Sequence, residues 1–181
     1  ECFMPLTVGG GVRDTEDVRQ LLMVGADKVA INSAVIEKPG LVAECACQFG
    51  SQCIVVSIDA RCDVNGRYEV FTHAGKVLTG YDPRDLALKA QEAGAGEILL
   101  TSIDQDGKMQ GYDLELISRV TEAVRIPVIA SGGAGTYAHM ARAIKEGGAS
   151  AIAAASIFHF TQQTPTEAKA YLAAEGFQVR C

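Results

Sequence analysis

Residues 126–160 read IPVIASGGAGTYAHMARAIKEGGASAIAAASIFHF. The segment has five parts in a fixed order: a short apolar run, a small-residue cluster at Ser131, Gly132 and Gly133, a helical stretch, a second apolar run, and Ser156. Residues 4–36, MPLTVGGGVRDTEDVRQLLMVGADKVAINSAVI, repeat that order. Placing Gly10 on Gly132 puts Gly25 on Gly147 and, with one inserted residue, Ser33 on Ser156. A strand, glycine turn, helix and strand in succession is a βα unit. Two copies imply a parallel sheet with helices packed on it.

The same alternation runs through the chain between the copies. Apolar runs at 4–8, 28–31, 53–58, 97–100, 127–130 and 150–154 predict six core strands. The intervening helices are predicted to start at Asp14, Pro39, Pro83, Asp113, Thr136 and Pro165. CIVVSI at 53–58 is continuously apolar, as expected of a strand buried on both faces. After it, Tyr68, Val70 and Thr72 alternate with polar residues, Ala74 and Gly75 turn, and Val77 and Thr79 follow, which predicts an inserted β-hairpin. A doubly wound open sheet and a βα-barrel both fit this alternation. The copies lie four strands apart, a half-barrel period, and this favours an eight-fold (β/α) barrel, here of about six units. The 181 residues are read as one α/β domain, 1–181, shorter than the roughly 250 residues usual for a complete barrel.

Composition narrows the function. Hydrophobic residues make up 48% of the chain, which excludes a disordered tail. No apolar run approaches the ~20 residues needed to cross a bilayer, and the opening lacks a signal-peptide pattern, so a cytoplasmic protein is expected. Scattered basic residues and a net charge of −6 argue against nucleic acid. The six cysteines fit no zinc spacing and read as free thiols, buried hydrophobes rather than catalysts. His73, His139 and His159 fall far apart and read as structural or solvated.

In a βα-barrel the chemistry lies at the carboxyl ends of the strands. There the sequence places Gly9, Gly10 and Gly11; Asn32 and Ser33; Ser131, Gly132 and Gly133; and Ser156. Small residues expose backbone N–H groups, and serines add hydroxyls, a combination suited to a phosphate. One such cluster is most simply a tight turn. Two, each with a strand-end serine, point to a ligand with a phosphate at either end. Asp59 ends the third strand, and no helix follows for it to cap, so it reads as a general acid or base. In LLTSIDQDGKMQGYD, 99–113, Thr101, Asp106 and Gly107 are site candidates. Asp104 orients the loop, and Asp113 caps the next helix. Calcium-loop spacing is missing there, so no metal is expected.

VGGGVRD, GADKVAINSAV, FGSQCIVVSIDA, GAGEILLTSIDQDGKMQGYD, IPVIASGGAG and AAASIFHF together resemble the cyclase subunit of imidazole glycerol phosphate synthase, over essentially the whole chain. The resemblance implies a barrel with two phosphate sites and no metal or organic cofactor. It implies a bis-phosphorylated ribulosyl-formimino-aminoimidazole carboxamide nucleotide as substrate, with ammonia supplied by a glutaminase partner. By this resemblance Asp59 is a catalytic carboxylate, and Thr101 and Asp106 contact substrate. Gly11, Asn32 and Ser33 hold one phosphate; Gly107, Gly132, Gly133 and Ser156 hold the other. Asp27, Lys28 and Glu97, near strand starts, lie on the glutaminase and ammonia-entry face. The family pattern begins two βα units earlier and carries its second catalytic carboxylate there. A shortened barrel with impaired activity is therefore expected, and self-association is expected to cover its open strand edges. The alternative is a non-catalytic phosphate-binding module.

Overall fold

The computed structural model describes residues 4–179. The elements run β1 (Thr7–Gly9), α1 (Thr15–Met23), β2 (Lys28–Ile31), α2 (Ser33–Glu37), α3 (Leu41–Phe49), β3 (Ile54–Cys62), β4 (Tyr68–Thr72), β5 (Val77–Leu78), α4 (Pro83–Glu92), β6 (Glu97–Ser102), α5 (Leu114–Thr121), β7 (Val128–Ser131), α6 (Tyr137–Lys145), β8 (Ala151–Ile152), α7 (Ser156–Phe160) and α8 (Pro165–Ala174). The parallel strands lie in the order β1-β2-β3-β6-β7-β8 and form a curled half-barrel.

Local signals explain the helix starts. The Asp14 carboxylate accepts from the N–H groups of Glu16 and Asp17, both at 3.0 Å. Asp82 and Asp113 do the same for α4 and α5. Pro83 and Pro165 occupy the opening turns of α4 and α8, where no N–H is needed. Thr164 and Glu167 form a reciprocal capping box on α8. Thr164→Ala is expected to lower stability by about 1 kcal/mol in urea denaturation, with an unchanged m-value.

Strand faces alternate. Val29, Ile31, Ile54, Val56, Ile58, Ile98, Leu100 and Ala130 are essentially inaccessible and pack beneath Val18, Val42, Leu116, Ile117, Val120 and Met140 from the helices. The intervening positions, Ala30, Ser57, Asp59, Leu99, Thr101, Ile129 and Ser131, are half-buried on the concave face. The expectation that β3 is covered on both faces holds at its start, where Ile54, Val55 and Val56 are all buried, and on its helix side alone from Ser57 onward. In a closed barrel, side chains from alternate strands fill this interior. Here it opens as a cavity of about 880 Å³.

The hairpin has a topological cause. β2 pairs with β3 only as far as Ile31↔Val56. β3 runs on to Cys62, and its freed edge is taken by β4, antiparallel, with Asp59 opposite Phe71. On its other side the same aspartate lies opposite Thr101 of β6.

Other boundaries moved. The first strand, expected over 4–8, starts at Thr7, because the Leu6 N–H is drawn to the Asp27 carboxylate at 2.7 Å. Cys53 belongs to a 3-10 turn rather than to a strand. α2 and α7 were not foreseen; at five residues each they are too short for helical periodicity to register. Among the described cysteines none is in a disulfide, and burial pushes the Cys45 thiol up to about 11. Cys2 and Cys181 lie outside the described residues. Among the described residues no helix is long and apolar enough to cross a membrane.

Candidate functional site

Two cavities open at the carboxyl ends of the parallel strands, and Ala153 lines both. The larger is bordered by Gly10, Gly11, Asn32, Ser33 and Asp59. The smaller, about 160 Å³, is bordered by Asp106, Gly107, Ser131, Gly132, Gly133 and Ser156. Thr101 stands between them, paired in register with both Asp59 and Ser131. The structure thus places these residues at one end of the sheet, around two neighbouring cavities, with Thr101 lining neither.

The glycines are glycines for different reasons. Gly10 and Gly11 have φ of 102° and 75°, and a Cβ there would meet nothing within 4 Å. Their need is conformational, and they leave main chain open to the cavity. A Cβ on Gly132 would lie 2.7 Å from the Ser102 carbonyl oxygen, and one on Gly133 only 2.1 Å from that of Gly111. These two let the loop after β6 pack directly on the turn after β7, where the Gly111 N–H donates to the Gly133 carbonyl at 2.8 Å.

Asp59 sits in a hydrogen-bonded chain. Asn32 Nδ2 donates to Asp59 Oδ2 at 3.1 Å and to the Ser57 carbonyl at 3.2 Å. The Ser33 hydroxyl donates to Asn32 Oδ1 at 3.3 Å. Burial pushes the Asp59 carboxyl above the usual carboxylate range, the hydrogen bonds from Asn32 and Thr101 oppose this, and the charge of Asp106 adds to it. A carboxyl that holds its proton to higher pH, within reach of a cavity, can deliver and recover a proton.

The flanking acids have separate duties. Asp104 accepts from the Cys62 N–H at 2.9 Å and pairs with Arg61 at 3.5 Å, tying the loop after β6 to the end of β3. Asp113 caps α5 and accepts from the Tyr68 hydroxyl at 2.8 Å. At the opposite end of the sheet Lys28 and Glu97 form an ion pair that spans β3, the strand between their own. Asp27 is at that end too, but its carboxylate holds the segment before β1. Among the described residues no three His, Cys, Asp or Glu side chains gather as a metal site would require.

Sequence reasoning missed His73 and Ala74. It read His73 as solvated or structural, and the residue is indeed exposed; what it did not place is the hairpin tip on the border of the larger cavity. The cause is register. β4 runs antiparallel to β3 and ends at Thr72, and the turn that follows brings the His73 N–H to Ser33 Oγ at 3.2 Å. The hairpin and the strand-end serine were both legible; the pairing that joins them was not.

A curled parallel sheet, helices on its convex side, and paired glycine-lined cavities around a carboxylate define a barrel-type α/β protein. Residues 1–164 match the family described as histidine biosynthesis protein, and the chain belongs to that family. Its role accordingly lies in histidine biosynthesis.

Proposed function

We propose that the chain is the cyclase-type member of its family, acting on a substrate with a phosphate at each end. The observation that carries this reading is the pair of cavities sharing Ala153, with Asp59 in one and Asp106 in the other. In this reading one phosphate lies against Gly11, Asn32 and Ser33, and the second against Gly107, Gly132, Gly133 and Ser156. The reacting atoms then sit over Thr101, between the two carboxylates. Asp59, held by Asn32 and Thr101, exchanges the proton as ammonia closes the imidazole ring. No metal or organic cofactor has a part in it. Ammonia enters past Lys28 and Glu97, from a glutaminase docked on that face.

The test is ammonia-dependent turnover of the bis-phosphorylated nucleotide by the chain, followed as release of aminoimidazole carboxamide ribonucleotide. Turnover supports the cyclase reading. Phosphate binding without turnover favours a second reading, a phosphate-binding module that gains strand partners.

That second reading draws on the outer edges of β1 and β8, each of which pairs with one strand among the described residues. Met4, Leu6, Met23 and Val24 are exposed on the β1 side, and Phe160 on the β8 side. Exposed edges invite strand pairing. A second copy of the chain is proposed to cover them, so the mass measured by light scattering is expected to be that of a dimer. A folded monomer would overturn this part.

A further inference from the structure

The tip of the hairpin is in an unusual state. His73 and Ala74 have φ of 53° and 56°, two successive residues other than glycine in the left-handed region. Such conformations cost roughly 1–3 kcal/mol each and persist where surrounding structure imposes them. The hairpin loop is closed by the Lys76 N–H donating to the Thr72 carbonyl at 3.1 Å, and at its tip the His73 N–H donates to Ser33 Oγ at 3.2 Å, across 40 positions of sequence. Ser33 in turn begins the chain through Asn32 to Asp59. The strained tip is therefore pinned to the hydroxyl that borders the larger cavity.

The imidazole is held loosely by comparison. Nδ1 is 3.2 Å from Thr72 Oγ1, which orients the ring. Nε2 faces the Glu37 carboxylate at 3.6 Å, beyond hydrogen-bonding range. His73, Glu37 and Arg13 all line the same cavity as Gly10 and Gly11. A nitrogen donor on the rim, weakly attached to a carboxylate, exchanges that partner readily for a more highly charged anion seated nearby.

We propose that His73 is a specificity-determining contact for the phosphate group in the larger cavity, its Nε2 moving from Glu37 to a phosphate bound between the turn at Gly10 and Gly11 and the Ser33 hydroxyl. The proposal rests on the two-phosphate reading above and adds a residue to one end of it. It also makes the two ends unequal: the smaller cavity has no imidazole among its lining residues. The larger cavity thus selects the phosphate by a side-chain donor as well as by main chain.

The experiment titrates the isotopically labelled chain with inorganic phosphate and follows the amide resonances of Gly11 and Gly133, one reporter for each cavity. His73→Asn is the variant of choice, because asparagine tolerates the left-handed conformation and keeps the backbone N–H. It is expected to weaken the affinity read at Gly11 about tenfold, the loss of one charge-assisted hydrogen bond, with the Gly133 isotherm unchanged. Glu37→Gln is expected to tighten the Gly11 isotherm, since the competing charge is gone. If wild type saturates at Gly11 and His73→Asn binds equally well, the proposal is overturned and the two-phosphate reading stands. An equal loss at Gly133 also overturns it, because a general change in fold or charge then accounts for the effect. If Gly11 in the wild type does not respond to phosphate, the two-phosphate reading itself fails.

Discussion

Asp59→Asn is expected to reduce ammonia-dependent turnover by about 10²–10⁴, the usual contribution of a positioned acid–base group. Shape and hydrogen bonding change little. The carbonyl oxygen of the introduced amide can still accept from Asn32 Nδ2, as Asp59 Oδ2 does now at 3.1 Å. Phosphate binding, read at Gly11 and Gly133, should survive. Loss of turnover with binding intact separates a proton-transfer role from a structural one, whereas full activity in the variant would remove Asp59 from the chemistry.

The same substitution has an expected effect on stability, of opposite sign. Burial raises the folded-state pKa of Asp59 above its unfolded value. The folded chain therefore holds this proton more tightly than the unfolded chain does. The resulting stabilisation is complete below the ordinary aspartate pKa of about 3.9 and is lost as pH rises through the raised folded value. At neutral pH the ionised carboxylate is a liability to the fold, and Asp59→Asn removes it. The variant should melt higher than wild type at pH 7, and the gain should shrink as the pH falls through the folded pKa. A group that destabilises the fold where it works is what a functional, rather than structural, carboxylate looks like.

Much of the architecture is local and could be read locally. Asp14, Asp113 and Pro165 announce helix starts by side-chain chemistry alone, and β2 and α8 coincide with the segments read for them. The repeat supplied what local signals lacked. An open doubly wound sheet and a barrel share the same alternation, and the four-strand spacing of the two glycine turns favours the curled form. Contacts set by strand register were not legible. Nothing in the composition around His73 says that it lies beside Ser33; that follows from Asp59 pairing with Phe71. Nor did the sequence distinguish its glycine clusters. Gly10-Gly11 and Gly132-Gly133 look alike as letters and both border a cavity, yet a Cβ would meet open space at one pair and the backbone of the loop after β6 at the other.

That distinction gives the largest expected effect on the fold. Gly133→Ala would place a Cβ about 2.1 Å from the Gly111 carbonyl oxygen, and the atom it strikes is backbone, already committed to the layer formed when Gly111 donates to Gly133. Gly133 also has φ of 108°, where a side chain is strained whatever the space. Overpacking and strain together are expected to cost on the order of 3–5 kcal/mol, a large share of a domain's stability. Gly11→Ala is the control. It too has a positive φ, 75°, but its Cβ meets nothing within 4 Å, so the conformational term acts alone, about 1 kcal/mol. Urea unfolding of the two variants measures the difference. Equal losses would mean that the loops after β6 and β7 part easily and that the smaller cavity is not built by their close approach. A much larger loss at Gly133 would tie that cavity to the fold itself: the contact that stabilises the two loops is also the wall of the pocket, so the ligand site is formed before any ligand arrives.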